Sequence, residues 1–167
     1  MVESAAKAPQ RIFLSWTHQD RTLKEALLAD LLPALGMLAD VRIEWWEDSH
    51  LTCGEELTPG IVDRLDEADF GLLLLSNRYF GSGFIQRYEL PRFAGPGADK
   101  GALPVALRPL PGFDENWNLG GIERQVVFTS AGRSFEKASG AQRRIFANEL
   151  ADAIRRRLLG LNGYRPL

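Results

Sequence analysis

The chain has 167 residues, 45% of them hydrophobic and 25% charged, with a formal net charge of −2 and one cysteine. This length predicts one domain, and the composition excludes a disordered chain, a collagen-like chain and a disulfide-dense scaffold. A net charge near zero provides no field that would attract the whole domain to nucleic acid or to an anionic membrane, so neither is expected as a partner.

Residues 1–10 lack the apolar core of a signal peptide. They are expected to form a disordered lead-in. No stretch approaches the roughly 18 consecutive apolar residues that a membrane-spanning helix needs. A single cysteine cannot form an intramolecular disulfide, which fits a reducing compartment. These observations together predict a cytoplasmic protein.

The first half of the chain alternates between strand and helix patterns. A short apolar run at residues 12–14 predicts the first strand, which ends in the polar stretch from Ser15. Leucines at helical spacing predict a helix that follows, with Asp20 as its N-cap and Pro33 as an end or a kink. Residues 41–46 are rich in β-forming side chains and predict the second strand, followed by a polar loop.

The middle of the chain repeats this alternation. Residues 55–68 carry a helical pattern, in which Pro59 is tolerated only in the first turn, so the regular helix should begin near Thr58. The continuous apolar run at residues 70–75 predicts a central strand buried on both faces. Residues 78–93 are aromatic-rich and are expected to be helical in part.

The last third predicts a fourth strand at residues 103–107 and a final helix over about residues 139–159. Residues 126–128 are a possible fifth strand. The side chains expected to face inward from the final helix are Ile145, Leu150, Ile154 and Leu158.

This alternation predicts an α/β fold with a mostly parallel sheet and helices on both faces. In such sheets, ligands bind at the loops beyond the carboxyl ends of the strands. Those loops should begin at Ser15, Trp46, Ser76 and Arg108, so functional residues are expected there and just after them.

The absence of several common motifs argues against the enzyme classes that depend on them. The sequence contains no phosphate-binding GxxxxGK[ST] loop and no GxSxG nucleophile elbow, and Gly81 and Gly83 are not followed by the third glycine of a dinucleotide fingerprint. The central strand does not end in the aspartate that a phospho-acceptor receiver domain needs. His50 and Cys53 are spaced like metal ligands, but two ligands do not make a zinc site, so no metal is predicted.

Three segments in register carry a more specific signal. They are RIFLSWTHQD at residues 11–20, IEWWEDSHLTCGEEL at residues 43–57 and LLLLSNRYFGSGFIQRYELPRF at residues 72–93. In this order and spacing they resemble the Toll/interleukin-1 receptor (TIR) domain in its bacterial form. The chain departs from that pattern at Trp16, where tyrosine is usual, and at Cys53, where proline is common.

The resemblance implies a flavodoxin-like TIR fold over residues 11–160, with a central, mostly parallel five-stranded sheet and helices on both faces. It implies that residues 161–167 are a tail or the start of a linker to a missing sensor module. It also implies self-association with other TIR domains, possibly as a filament, and a role in antiphage defence.

Some TIR domains are adaptors that only bind other TIR domains, whereas others cleave the nicotinamide–ribose bond of NAD. The enzymatic members carry a glutamate on the helix after the third strand, and Glu89 matches that position. By this resemblance NAD+ is the substrate, no resident cofactor is needed, and Glu89 is the catalytic residue.

A carboxylate suits this chemistry because the ribose becomes positively charged as nicotinamide leaves as a neutral molecule, without a general acid. One shielded, ionised carboxylate can stabilise such an oxocarbenium-like transition state. The alternative interpretation of Glu89 is an ordinary surface or capping carboxylate.

Six further residues are candidates for contact with the nucleotide, and each has a structural alternative. Trp45 and Trp46 are adjacent in a strand and face opposite sides, and Trp46 is favoured because it adjoins the loop. Asp48 could instead hold the loop, and Phe84 could belong to the core. The six candidates are Ser15, Trp16, Thr17, Trp46, Asp48 and Phe84.

Three functions therefore compete at this stage. The leading hypothesis is an NAD-cleaving enzyme that releases nicotinamide and either ADP-ribose or a cyclic ADP-ribose. The second is a non-catalytic interaction module that assembles through the loop at residues 47–54. The third is a domain that binds a nucleotide without cleaving it.

Overall fold

The computed structural model describes residues 9–47 and 59–161, without the side chains of residues 59–61. In this part of the chain four parallel strands form one sheet in the order β2-β1-β3-β4. The strands are β1 (Gln10–Ser15), β2 (Ile43–Glu47), β3 (Phe70–Leu75) and β4 (Gly101–Ala106). This α/β architecture and strand order are consistent with a flavodoxin-like fold.

Helices connect and follow these strands. Two are long, α1 (Arg21–Gly36) and α5 (Ala141–Leu158), and α2 (Pro59–Glu67) precedes β3. Between β3 and β4 the chain forms α3 (Asn77–Phe80), a π-helix (Ile85–Glu89) and α4 (Leu90–Phe93). Four of the predicted strands and the predicted helices are thus confirmed in type, and the partly helical stretch after β3 is divided into three short pieces.

The sheet is covered on both faces, as the apolar runs predicted. One core layer packs α1 and α5 against residues such as Leu72 and Leu74, and the second packs α2, α3 and α4 against Leu73 and Leu75. Alternate leucines of β3 therefore enter opposite layers, because successive side chains of a strand point to opposite faces. This explains why β3 is apolar at almost every position.

The predicted fifth strand is wrong for the part of the chain that the structure describes. Residues 126–128 contribute only an isolated parallel bridge, between Val105 and Phe128. Phe128 exchanges backbone hydrogen bonds with β4, accepting from Ala106 and donating to Pro104. Because this bridge is isolated, the segment does not continue along β4 as a full strand, and Val126 is 92% exposed.

One helix prediction needs correction, and the alternatives for a second are reduced to one. Ile145 is 50% exposed, and the buried stripe of α5 instead begins at Phe146, four residues before Leu150. That stripe continues to Ile154, so the i, i+4 spacing was right and its starting residue was wrong. In α1 the helix continues through Pro33 to Gly36 and does not end at the proline.

None of the helices among the described residues is long and apolar enough to cross a membrane. The predicted lead-in and tail fall almost entirely outside the described residues, as does the polar loop after Glu47.

Candidate functional site

The carboxyl edge of the sheet contains a point where the chain reverses its direction of strand addition. From β1 the chain first adds β2 on one side and then returns to add β3 on the other. Ligands in open α/β sheets bind in the crevice at such a switch point. The residues at this edge are Ser15, which ends β1, and Ser76, which directly follows β3.

Both serines are completely buried and hydrogen-bonded. The Ser15 hydroxyl lies 2.8 Å from the hydroxyl of Tyr79, which is also buried, on α3. The Ser76 hydroxyl accepts a hydrogen bond from the Tyr79 backbone N–H at 3.0 Å and donates to Asp20 Oδ2 at 2.5 Å. The ends of β1 and β3 are therefore joined by a chain of polar contacts in addition to the apolar core.

The network reaches the end of β4 through Arg108. The Arg108 Nε donates to Asp20 Oδ1 at 2.6 Å, and its Nη1 binds Glu136. Asp20 is fully buried, whereas the Arg108 side chain is 30% exposed. The hydrogen bond that Arg108 donates to Asp20, opposed by partial burial, raises the pKa of Arg108, and Glu136 raises it further. The guanidinium is therefore already neutralised by two carboxylates, which disfavours its use as a free anion site.

Asp20 was predicted as the N-cap of α1. The predicted position is right, but the predicted capping hydrogen bond is absent. Asp20 occupies the N-cap position, but its side chain makes no capping hydrogen bond to the helix. Its two oxygens bind Ser76 and Arg108 instead. A carboxylate buried at a strand edge gains more from a cation and a hydroxyl than from one backbone N–H.

Glu89 lies on the π-helix that follows α3 and is only 5% exposed. Its neighbours Ile85 and Leu90 belong to the second core layer. Its negative charge acts on Tyr79, which connects it to the network at the switch point. The structure thus places Glu89 as a buried carboxylate and not as the surface residue of the alternative interpretation.

The π-helix itself was not predicted. Its wider turn is seen in the Leu90 N–H, which donates to the carbonyl of Ile85, five residues earlier. Pro91 follows directly, and in a regular α-helix its ring would clash with the carbonyl four residues before it. We attribute the wider turn to this proline. Single π turns are frequent at functional sites.

Phe84 precedes the π-helix by one residue and is half-buried. Its ring contacts Tyr88, with the centroids 5.3 Å apart and the planes tilted by 47°. Since the hydrogen bonds of a π-helix join residues five apart, Phe84 and Glu89 are separated by about one turn. The half-buried ring of Phe84 therefore lies about one turn before the carboxylate residue in the chain.

Tyr79 is a buried titratable group of this site with a strongly shifted pKa. Burial and then the negative charge of Glu89 raise the pKa of its hydroxyl far above the ordinary value, while the hydrogen bond with Ser15 acts in the opposite direction. Tyr79 therefore stays neutral and keeps its proton available for hydrogen bonding.

We expect a Tyr79→Phe variant to be less stable than the wild type at neutral pH by about 1 kcal/mol, because Ser15 loses its buried partner. The stabilisation linked to a raised pKa is complete below the ordinary tyrosine pKa of about 10 and is lost as the pH rises above it. The wild type should therefore lose more stability than the variant between about pH 9 and about pH 11.

Urea denaturation of both proteins at these two pH values measures the difference. Tyr88→Phe is the matched control, because the Tyr88 hydroxyl makes no hydrogen bond to a described residue. At neutral pH, Tyr88→Phe should lower the stability by less than Tyr79→Phe does. Equal losses for wild type and Tyr79→Phe at alkaline pH would show that the Tyr79 hydroxyl is not protected.

Trp16 is 5% exposed and belongs to the first core layer. Its ring stacks on His18 with the centroids 5.0 Å apart, and Lys24 Nζ lies 4.4 Å from the ring centroid. Its indole N–H donates to Glu47 Oε2 at 3.0 Å. The ring is thus largely covered by protein, and its contact with a nucleotide stays a prediction.

The two adjacent tryptophans of β2 enter different layers, as predicted. Trp45 packs against the layer of α1 and α5, and Trp46 against the layer that also contains Ile85 and Leu90. Trp46 is therefore on the same side of the sheet as Glu89. Its indole N–H donates to Glu44 at 3.2 Å, and the Arg11 guanidinium lies 5.4 Å from the ring centroid.

Of the two remaining predicted nucleotide contacts, the structure describes Thr17 and does not describe Asp48. Thr17 is half-buried and its carbonyl accepts a hydrogen bond from the Asp20 backbone at 2.9 Å. Asp48 lies outside the described residues, as do His50 and Cys53. In the ranges 9–47 and 59–161, no group of three or more His, Cys, Asp or Glu side chains is arranged to hold a metal ion.

Sequence reasoning missed the partners that hold this edge together. Tyr79, Arg108 and Glu136 are polar or charged side chains separated by long stretches of sequence, and no motif links them. The rule that ligands bind beyond the carboxyl ends of strands did indicate Ser76 and Arg108 as places to look. Nothing in the sequence indicated that the two would share Asp20.

Comparison with known proteins adds no identification. No protein-family model matches the chain, and no curated protein is significantly similar to it in sequence.

Proposed function

We propose that this chain is a TIR-type NAD+ nucleosidase (NADase) that cleaves the nicotinamide–ribose bond, with Glu89 as the catalytic carboxylate. The products are nicotinamide and either ADP-ribose or a cyclic ADP-ribose. The observation that carries the proposal is the burial of Glu89, 5% exposed on a π-helix and coupled by its charge to Tyr79 at the switch point. By the same resemblance, we infer a cytoplasmic effector of antiphage defence.

The reaction needs little more than a shielded negative charge beside the ribose. The bond from the ribose to the nicotinamide nitrogen breaks with its electron pair going to the ring, which leaves as neutral nicotinamide. The positive charge that develops on the ribose is stabilised by the Glu89 carboxylate, whose effect is strongest where water is excluded. Water then attacks the ribose carbon that has lost nicotinamide and gives ADP-ribose with release of a proton. Alternatively, a nucleophile within the substrate attacks the same carbon and gives a cyclic product.

Other residues of this edge have supporting roles in the proposal. Trp46 provides a ring surface on the side of the sheet that carries Glu89, and Phe84 provides one directly before the π-helix. Such surfaces stack on planar ligands. The buried Ser15–Tyr79 pair holds α3 against the end of β1. Ser15, Trp16, Thr17 and Asp48 remain proposed nucleotide contacts from the resemblance alone.

A chromatographic assay for nicotinamide release from NAD+ tests the proposal. The purified chain, at high protein concentration, should release nicotinamide together with one equivalent of ADP-ribose or its cyclic form. Binding of NAD+ without any nicotinamide release would support a nucleotide-binding domain and contradict the enzyme.

A non-catalytic TIR–TIR interaction module is the second candidate, and an exposed apolar surface favours it. Val126 lies beside a groove of about 310 Å³ formed by β4 and α5, with Val105, Phe128 and Ile154 among its lining residues. Exposed apolar patches are typical of protein-binding surfaces. An interaction module would self-associate but release no nicotinamide, so the same assay separates the two candidates.

We also expect the specific activity to rise with protein concentration, because the resemblance implies that the loop at residues 47–54 packs against a neighbouring copy and completes the pocket. Such a head-to-tail contact is heterologous and can extend into a filament. The measurement is nicotinamide release per mole of protein over a roughly hundredfold concentration range. Activity should increase steeply at first and then level off.

Leu51→Glu places a charge in the proposed contact and should lower this activity without unfolding the domain. Leu51 lies outside the described residues, so the matched control is Leu32→Glu, at a 42% exposed position on α1. A flat concentration dependence, with Leu51→Glu as active as the wild type, would mean that the monomer contains a complete site.

A further inference from the structure

A cleft of about 340 Å³ lies beyond the carboxyl ends of β3 and β4, separate from Glu89. Three aromatic rings contribute to its lining, from α3 and from the segment that follows β4. We call this cleft the aromatic slot. The residues that form it include Phe80, Phe113, Trp117, Leu110, Leu119 and Asn77.

The walls of the aromatic slot are held in place by the core. Phe80, Leu110, Phe113 and Leu119 are partly buried and pack against the second core layer. Phe80 is also braced by Tyr79, whose ring meets it edge to face at a centroid distance of 5.4 Å. The slot is therefore preformed on one side by side chains that cannot easily move.

Trp117 stands at the rim and is 44% exposed. Two hydrogen bonds to Asp114 fix the turn that carries it, from the Trp117 N–H to the carbonyl at 3.1 Å and from the Asn116 N–H to Oδ1 at 2.8 Å. A large aromatic side chain is thus left exposed on a hydrogen-bonded turn. Exposed rings in fixed positions can bind a planar ligand with little loss of conformational entropy.

The chemistry of the slot favours one kind of ligand. Its volume is at the lower end of the range for small-molecule sites, which suits a nucleoside-sized molecule. Aromatic walls stack on any nucleobase, and an asparagine amide pairs with the N6 and N7 edge of adenine. The Asn77 amide is available for this, because it makes no hydrogen bond within the described part of the chain.

We propose that the aromatic slot binds the adenine ring of a nucleoside or nucleotide. The base stacks on the aromatic walls, with Trp117 at the entrance. The Asn77 amide forms hydrogen bonds with the N6 and N7 edge of the base. The proposal is independent of NAD+ cleavage, because the lining of the slot does not include Glu89 or any of the residues predicted to surround it.

Isothermal titration calorimetry with adenosine tests the proposal on the whole chain. Wild-type protein should bind adenosine, and Trp117→Ala should weaken the binding by roughly fivefold to a hundredfold, as expected for loss of a ring that stacks on a base. Asn77→Ala should reduce the ratio between the affinities for adenosine and for uridine. Because Trp117 and Asn77 are exposed, neither change should alter the melting temperature appreciably.

Two control variants make the result specific. Ile145→Ala changes a side chain of similar exposure on the opposite face of the sheet and should bind adenosine as the wild type does. Glu89→Gln should also bind adenosine normally, whatever its effect on NAD+ cleavage. The proposal is overturned if adenosine does not bind at millimolar concentration, if Trp117→Ala binds it equally well, or if Glu89→Gln weakens it.

Discussion

Replacing Glu89 with glutamine should reduce nicotinamide release by about a hundredfold or more while leaving the fold intact. The substitution keeps the size of the side chain and removes only its charge. In a buried position that charge is poorly screened, so in the proposed mechanism it would stabilise the cationic transition state far more than an exposed carboxylate would. The rate of nicotinamide release at saturating NAD+ measures the effect.

Glu115→Gln is the matched control, since it makes the same chemical change at an exposed position in the loop after β4. It should retain the wild-type rate. Circular dichroism and a melting curve show whether each variant is folded. A folded Glu89→Gln protein that cleaves NAD+ at the wild-type rate would remove Glu89 from the mechanism.

Asp20→Ala should lower the free energy of unfolding by about 2–3 kcal/mol. Breaking a fully buried ion pair costs about 3–5 kcal/mol, because the remaining charge is left without a partner. Here the cost is smaller, since Arg108 keeps Glu136 and is partly exposed to water. The loss also includes the buried Ser76 hydroxyl, which donates to Asp20 at 2.5 Å.

Urea denaturation at neutral pH measures this loss. Asp30→Ala, which removes a half-exposed carboxylate from α1, is the control and should change the stability by less than about 0.5 kcal/mol. Asp20→Asn should lose an intermediate amount of stability, because its carbonyl oxygen can still accept a hydrogen bond from Ser76. If Asp20→Ala were as stable as Asp30→Ala, the network would not hold the three strand ends together.

The strand and helix positions were largely predictable because they depend on local periodicity. The apolar run at residues 70–75 coincides with β3 (Phe70–Leu75), since only a strand buried on both faces needs an apolar side chain at every step. The predicted fifth strand was not recoverable in this way. Residues 126–128 have β-forming side chains, but strand formation also requires a partner along their length, and Val126 has none among the described residues.

The candidate site was predictable only at the level of single residues. The pattern around Glu89 singled out that glutamate, and the strand ends indicated Ser15 and Ser76. The burial of Glu89 and its electrostatic effect on Tyr79 are seen only in the three-dimensional structure, in which Glu89 is the last residue of a π-helix, two residues before Pro91. Propensity and spacing do not encode such a turn.

By itself, the sequence determined that this protein has a parallel α/β sheet with both faces covered, because hydrophobic periodicity fixes which face of each element must be buried. It also determined the polar character of the strand ends. Only the tertiary structure decided that Asp20 binds Ser76 and Arg108 and does not cap its helix. It likewise decided that Trp117 joins Phe80 in one slot. The reason is that these contacts join residues far apart in the chain, and such pairings depend on the packing of whole elements, which local patterns do not specify.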